Sequence, residues 1–168
     1  MSEIIILNAA ARKNGNTSAL VQSFTKGAKA SGNNVKEFYL QTMNIRGCIG
    51  CMGCARNADP CTQRDEMSQI YDAFKTADVV VMSSPVYFLG MAGTLKTAVD
   101  RLFAVFTKYG AEACQRDCIL LMTSDDPQYE EAVTWYRNFT DSVGWNNLGE
   151  VLGSRGTARA EELGASIH

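Results

Sequence analysis

Apolar positions along the chain alternate between two rhythms. Short β-branched runs mark buried strands: Ile4-Ile5-Ile6-Leu7, then Val35 to Leu40, Asp78-Val79-Val80-Val81-Met82-Ser83, and Ile119-Leu120-Leu121-Met122. Between them lie stripes of helical period. Leu20, Val21, Phe24 and Ala28 share one face over Thr17–Ala30. Met67, Ile70, Tyr71 and Phe74 fall at i, i+3, i+4 and i+7. Leu95, Val99, Leu102, Phe103 and Phe106 mark a long helix, and Tyr129, Ala132, Val133, Tyr136 and Val143 another. Leu148 to Leu152 is a weaker fifth strand, and Ala158 to Ile167 a closing helix. The stretch from Gln41 to Arg64 has no period and holds four cysteines, three glycines and a proline, so it reads as a loop.

Continuous apolar strands are covered on both faces, which calls for a parallel sheet between helices. The order β-α-β-α-β-α-β-α-β-α with right-handed crossovers gives an α/β, three-layer, doubly wound domain. Five strands favour the flavodoxin-like order 2-1-3-4-5 over the six-stranded dinucleotide fold. No linker or repeat interrupts the 168 residues, so residues 1–168 are expected to form one domain. Ligands of such sheets sit at the carboxyl ends of the strands, which directs attention to the loops after strands one, three and four.

Charge and composition narrow the chemistry. A net charge of -2 argues against nucleic-acid partners and a polybasic membrane surface. No segment approaches the roughly 18 apolar residues a membrane helix needs, and the amino terminus lacks a secretory pattern. A cytoplasmic setting with reduced thiols is expected. The single histidine is His168, which leaves no donor for Ser-His-Asp, Cys-His or HExxH chemistry.

The loop after strand one reads Asn8-Ala9-Ala10-Ala11-Arg12-Lys13-Asn14-Gly15-Asn16-Thr17-Ser18. Polar residues that cap a helix, free N–H groups at its start and two cations make an anion site. The spacing fits neither GxGxxG nor GxxxxGK[ST], so a single terminal phosphate suits it better than a pyrophosphate. An ordinary capped helix behind a basic turn is the competing reading. After strand three comes Ser83-Ser84-Pro85-Val86-Tyr87-Phe88-Leu89-Gly90, running into Leu95-Lys96-Thr97-Ala98-Val99-Asp100-Arg101. Aromatic residues between a proline and a glycine at a strand end suit a flat ring, or are core packing.

These two motifs resemble the NAD(P)H-dependent FMN reductase family, near its iron–sulfur flavoprotein branch. That family writes the first loop as G-S-P-R-x-x-[GS]-N-[ST]; Arg12, Asn16, Thr17 and Ser18 match, while Ala9, Ala10 and Ala11 replace Gly, Ser and Pro. The resemblance implies that FMN phosphate is held by Arg12, Asn16, Thr17 and Ser18. Ala10 replaces a donor and so weakens FMN binding roughly tenfold or more. It further implies that Pro85, Val86, Tyr87, Phe88 and Gly90 line the isoalloxazine, with a weaker match at Thr123-Ser124-Asp125. Lys96, Asp100 and Arg101 are expected to form helix-surface pairs or subunit contacts. Homodimers or tetramers are the family habit.

The spacing Cys48-x2-Cys51-x2-Cys54-x6-Cys61 lets several thiolates reach one centre. It resembles the compact cysteine motif of iron–sulfur flavoproteins, where it holds a 4Fe–4S cluster; bare thiols and zinc are the other readings. Cys114 and Cys118 have no such spacing and read as packing. Three functions follow. The first is an FMN enzyme taking hydride from NADH or NADPH and passing electrons to a quinone, small aromatic, free flavin or redox protein. The second is an electron carrier with a cluster on the cysteine loop. The third is a non-enzymatic zinc or thiol module.

Overall fold

The computed structural model describes residues 1–56 and 60–168. Its elements run β1 (Glu3–Asn8), α1 (Asn16–Ala30), β2 (Asn34–Tyr39), α2 (Met67–Phe74), β3 (Val79–Tyr87), β4 (Gly90–Met91), α3 (Gly93–Tyr109), β5 (Asp117–Thr123), α4 (Glu130–Ser142), β6 (Asn146–Leu152) and α5 (Thr157–Ala165). Five strands pair in parallel in the order β2-β1-β3-β5-β6, the expected 2-1-3-4-5, and β4 adds a short antiparallel partner to the end of β3.

Alternation along the strands explains the layers. In β1, Ile4 and Ile6 join Leu20, Val21 and Phe24 of α1 and Leu163 of α5 in one core. Ile5 and Leu7 point the other way, into a core with Met67 and Ile70 of α2, Leu95 and Leu102 of α3, and Tyr136 of α4. A residue's neighbours on a strand face opposite layers, so a run of four apolar residues feeds both. Glycine sets the spacing of the α1/α5 layer. A Cβ on Gly27 would overlap the Glu161 carbonyl oxygen, and one on Gly164 the Phe24 carbonyl oxygen. Only hydrogen side chains let these backbones touch.

On the other face, Trp145 stacks on Phe74 with centroids 5.9 Å apart and meets Phe139 edge-on at 5.6 Å. Its indole N–H donates to the Cys114 carbonyl at 2.8 Å. Cys114 and Cys118 are both buried. Burial raises both thiols, Cys118 to about 11, which keeps them protonated and inert.

Three boundaries differ from the sequence pattern. The third strand does not stop at Ser83 but continues through Pro85 to Tyr87, pairing Ser84 with Met122 and Pro85 with Thr123. Polarity hid this extension. The Ser84 hydroxyl satisfies itself locally, donating to the Pro85 carbonyl at 2.7 Å and accepting the Ala92 N–H at 2.8 Å. The strand then folds back as a hairpin, with Val86 opposite Met91 and Tyr87 opposite Gly90. The segment read as loop from 41 to 64 contains single 3-10 turns at Leu40–Thr42 and Gly53–Ala55. The last strand begins at Asn146; its largely exposed edge position weakened its apolar signal.

Candidate functional site

β1, β3 and β5 deliver three loops to one end of the sheet. There Ala10, Ala11, Arg12, Gly15, Asn16 and Thr17 face Pro85, Val86 and Tyr87, with Thr123, Ser124 and Asp125 closing the third side of a cavity of about 120 Å³. The position is the switch point, where the chain leaves β1 toward β2 on one side and β3 on the other.

The first loop is shaped by its own backbone. Asn8 is buried at the end of β1; its Oδ1 accepts the Ala10 N–H at 2.9 Å, and its Nδ2 donates to Glu37 Oε1 at 2.7 Å. The Arg12 carbonyl accepts the Gly15 N–H at 3.1 Å and the Ser18 hydroxyl at 2.9 Å. These bonds turn the chain into α1, whose first intrahelical bond is Ala19 N–H to the Gly15 carbonyl. The expected side-chain cap is absent: none of the polar residues caps α1. Thr17 spends its hydroxyl on that of Thr123 at 2.6 Å, tying the first loop to the third. The helix therefore presents uncapped N–H groups and the positive end of its dipole to the cavity, beside the Arg12 guanidinium.

Most of the residues picked from the sequence meet here, but three stand apart. Ser18 does not line the cavity; its hydroxyl shapes the loop through Arg12. Phe88 and Gly90 do not line it either. Gly90 lies in β4, and Phe88 sits at the hairpin tip with its ring wholly in solvent, 105% exposed. Phe88 and Leu89 both have positive φ, 46° and 67°, a two-residue turn of the type usually built from Asn and Gly. Sequence reading missed Asn8, Ser84 and Tyr129. The Tyr129 hydroxyl accepts the Ser124 N–H at 2.9 Å and so fixes the third loop. These residues shape the backbone and do not line the cavity, and no motif announces them.

The four clustered cysteines form a second feature. Cys48, Cys51, Cys54 and Cys61 all line one apolar cavity of about 140 Å³, together with Ile49, Met52, Phe103, Ala104 and Arg101. Cys48 and Cys51 are exposed, Cys54 and Cys61 half-buried, and all four are free thiols. As they stand, no three His, Cys, Asp or Glu side chains among the described residues are grouped closely enough to hold a metal ion. The donor set is nonetheless one that suits a thiolate-bound centre. Cys51 Sγ lies 3.5 Å from the Thr62 hydroxyl, which with the Gly53 backbone lowers its thiol pKa.

Arg101 corrects an expectation. Lys96 and Asp100 do pair on the surface of α3, at 2.6 Å. Arg101 instead is 1% exposed and forms a buried ion pair with Asp65, 2.7 Å from Oδ2. Burial works against the Asp65 charge, but Arg101 and the backbone N–H groups of Arg46 and Met67 outweigh it and hold the carboxyl below its ordinary value. Burial likewise opposes the Arg101 charge, and Asp65 and Tyr71 more than restore it.

The profile of the family described as NADPH-dependent FMN reductase matches residues 2–153. An iron–sulfur flavoprotein of Archaeoglobus fulgidus is 33% identical over 91 residues, 54% of this chain and 41% of that one. Another, from Clostridioides difficile, is 27% identical over 145 residues, 84% of this chain and 63% of the other. The chain thus spans about half the length of the curated relatives it matches. An azoreductase of Bacillus anthracis superposes with a TM-score of 0.76 at 18% identity, covering 99% of this chain and 100% of that one, which shows the shared fold. The chain belongs to the NADPH-dependent FMN reductase family.

Proposed function

We propose that this chain is a flavin oxidoreductase that binds FMN at the switch-point cavity and passes electrons from NADH or NADPH to an acceptor. The observation that carries the reading is the convergence of an uncapped helix start, Arg12 and the Pro85–Tyr87 strand end on one cavity. The residues present fit the group. The N–H groups at the start of α1, the Arg12 guanidinium and the Asn16 side chain would hold the phosphate. Pro85, Val86 and Tyr87 offer apolar surface and backbone to a flat ring, and Thr123 and Ser124 border it from the other side. When bound, FMN supplies the two-electron chemistry between nicotinamide and acceptor. The protein's own work is to bind, orient and shield. It needs no imidazole, which agrees with a chain whose one histidine is His168.

The test is anaerobic. Purified protein is incubated with FMN, separated from excess, and titrated with NADPH and with NADH while flavin absorbance is followed. Bleaching at stoichiometric nicotinamide is expected. A protein that neither retains nor rebinds FMN would overturn the assignment.

A second reading adds a one-electron centre on the cysteine loop, supported by four thiols on one cavity. Iron and acid-labile sulfide in protein purified without oxygen, lost in Cys51→Ser, is the expected result. A metal-free anaerobic preparation would count against it. Exposed Ile49, Met52 and Phe103 beside that cavity support self-association into a homodimer or tetramer, measured by light scattering. Among the described residues no helix is long and apolar enough to cross a membrane.

A further inference from the structure

The segment that carries the clustered thiols leaves the sheet after β2 and returns to it through α2. Its two stems are tied to each other and to α3 by one side chain. Arg101 Nη1 donates to the Arg46 carbonyl on the first stem at 2.7 Å and to Asp65 Oδ2 on the second at 2.7 Å. Nη2 donates to Asp65 Oδ1 at 3.1 Å. Asp65 in turn accepts the Arg46 N–H at 3.1 Å and the Met67 N–H at 3.2 Å, so it also starts α2. Outside this pair, Glu66 and Asn44 repeat the link through two backbone N–H donations, at 2.6 and 3.2 Å. Gln63 Nε2 donates to the Gly47 carbonyl at 2.9 Å.

The pair also lies between two cavities. Arg101 lines the thiol cavity, whereas Asp65 lines the adjoining cavity of about 500 Å³; Cys61 borders both. Arg101 thus stands between the thiol cavity and Asp65, with both side chains only 1% exposed. A buried ion pair is a poor means of holding elements together when apolar residues of similar size do it as well. Two apolar residues could not bond two chain stems at once.

We propose that Arg101 is the positioning residue of a four-thiol site: by locking both stems of the cysteine segment to α3 it holds the four thiols around one cavity. The proposal rests on the reading that the four thiols act together. Groups that orient ligands and tune their charge typically cost roughly 10- to 100-fold in metal affinity when removed.

The experiment uses the metal-free, fully reduced protein, titrated without oxygen with cobalt(II) alone and read by sulfur-to-cobalt charge-transfer absorption. Wild type is expected to develop the band. Arg101→Met is expected to weaken cobalt(II) binding roughly 10- to 100-fold, and Arg101→Lys, which keeps the charge on a single nitrogen, to recover part of it. Asp65→Asn, which keeps the shape and removes the anion that orients the guanidinium, is expected to weaken binding less than Arg101→Met. FMN affinity is expected to stay the same throughout. If Arg101→Met does not fold, Arg101→Lys and Asp65→Asn carry the test. Unchanged cobalt(II) affinity in folded variants overturns the proposal. So does a parallel loss of FMN affinity, which would make Arg101 a general structural residue. No charge-transfer band in wild type removes the four-thiol site itself, a different failure that takes the proposal with it.

Discussion

The Phe88–Leu89 turn offers a prediction in which stability and binding separate. A residue with a β-carbon in the left-handed region costs about 1–2 kcal/mol, and asparagine bears that conformation more easily. Phe88 has φ 46° and a ring 105% exposed, so replacing it gives up no packing. Phe88→Asn should therefore stabilise the flavin-free protein by about 1 kcal/mol, raising Tm by roughly 2–4 °C at this chain length. Leu89, at φ 67°, is 47% exposed. Leu89→Asn forfeits about 1 kcal/mol of burial, which offsets the relieved strain and leaves Tm nearly unchanged. The assay is a thermal melt of wild type and both variants, without FMN and at saturating FMN. A lower Tm for flavin-free Phe88→Asn would refute the reasoning, because it would mean the ring is packed. The FMN arm asks a second question. If the ring lies against bound flavin, as the family resemblance implies, Phe88→Asn weakens FMN binding roughly two- to tenfold and shrinks the FMN-induced rise in Tm.

Other predictions concern different parts of the molecule. Ala10→Ser places a hydroxyl at the edge of the switch-point cavity and should tighten FMN binding roughly tenfold, read by quenching of flavin fluorescence; no change would mean the phosphate lies elsewhere. Gly27→Ala forces α1 off the Glu161 carbonyl and should destabilise by about 1–3 kcal/mol or more in urea unfolding. Removing the carboxylate in Asp65→Asn weakens the partner of a buried guanidinium and should cost up to about 3–5 kcal/mol at neutral pH. The Asp65 carboxyl titrates below its ordinary 3.8 in the folded state, so this stabilisation is whole above that value and is lost as pH falls through the lower folded value. Acid unfolding curves of wild type and Asp65→Asn should converge only below about pH 4.

What the sequence disclosed depended on the range of the interaction. β1, α1 and α2 were legible because burial imposes a local period, and Ile4 to Leu7 carries the signature of a strand covered on both faces. The end of β3 was not, since Ser83, Ser84 and Pro85 look like a turn until the Ser84 hydroxyl is seen closing on Ala92. The loop after β1 stood out in the sequence by its polar residues and helix start. Their roles could not: Thr17 and Ser18 read as caps, yet their hydroxyls bond Thr123 and Arg12. The cysteines were visible as a spacing, while their shared cavity with Arg101 depends on α3, far along the chain. Arg101 itself read as a surface residue because helical periodicity says nothing of a carboxylate 36 residues away.

The two tryptophans give the protein a built-in optical gauge with two scales. Trp145 is 4% exposed, stacked on Phe74 and bonded to the Cys114 carbonyl, so its emission follows the integrity of the inner layer. Trp135 is only partly buried, stacked on Phe139 at 5.4 Å, with the Lys96 ammonium 5.8 Å above its ring. Its emission follows the outer groove between α3 and α4. A single fluorescence trace therefore blends two environments, and Trp135→Phe would leave a clean report of the core alone.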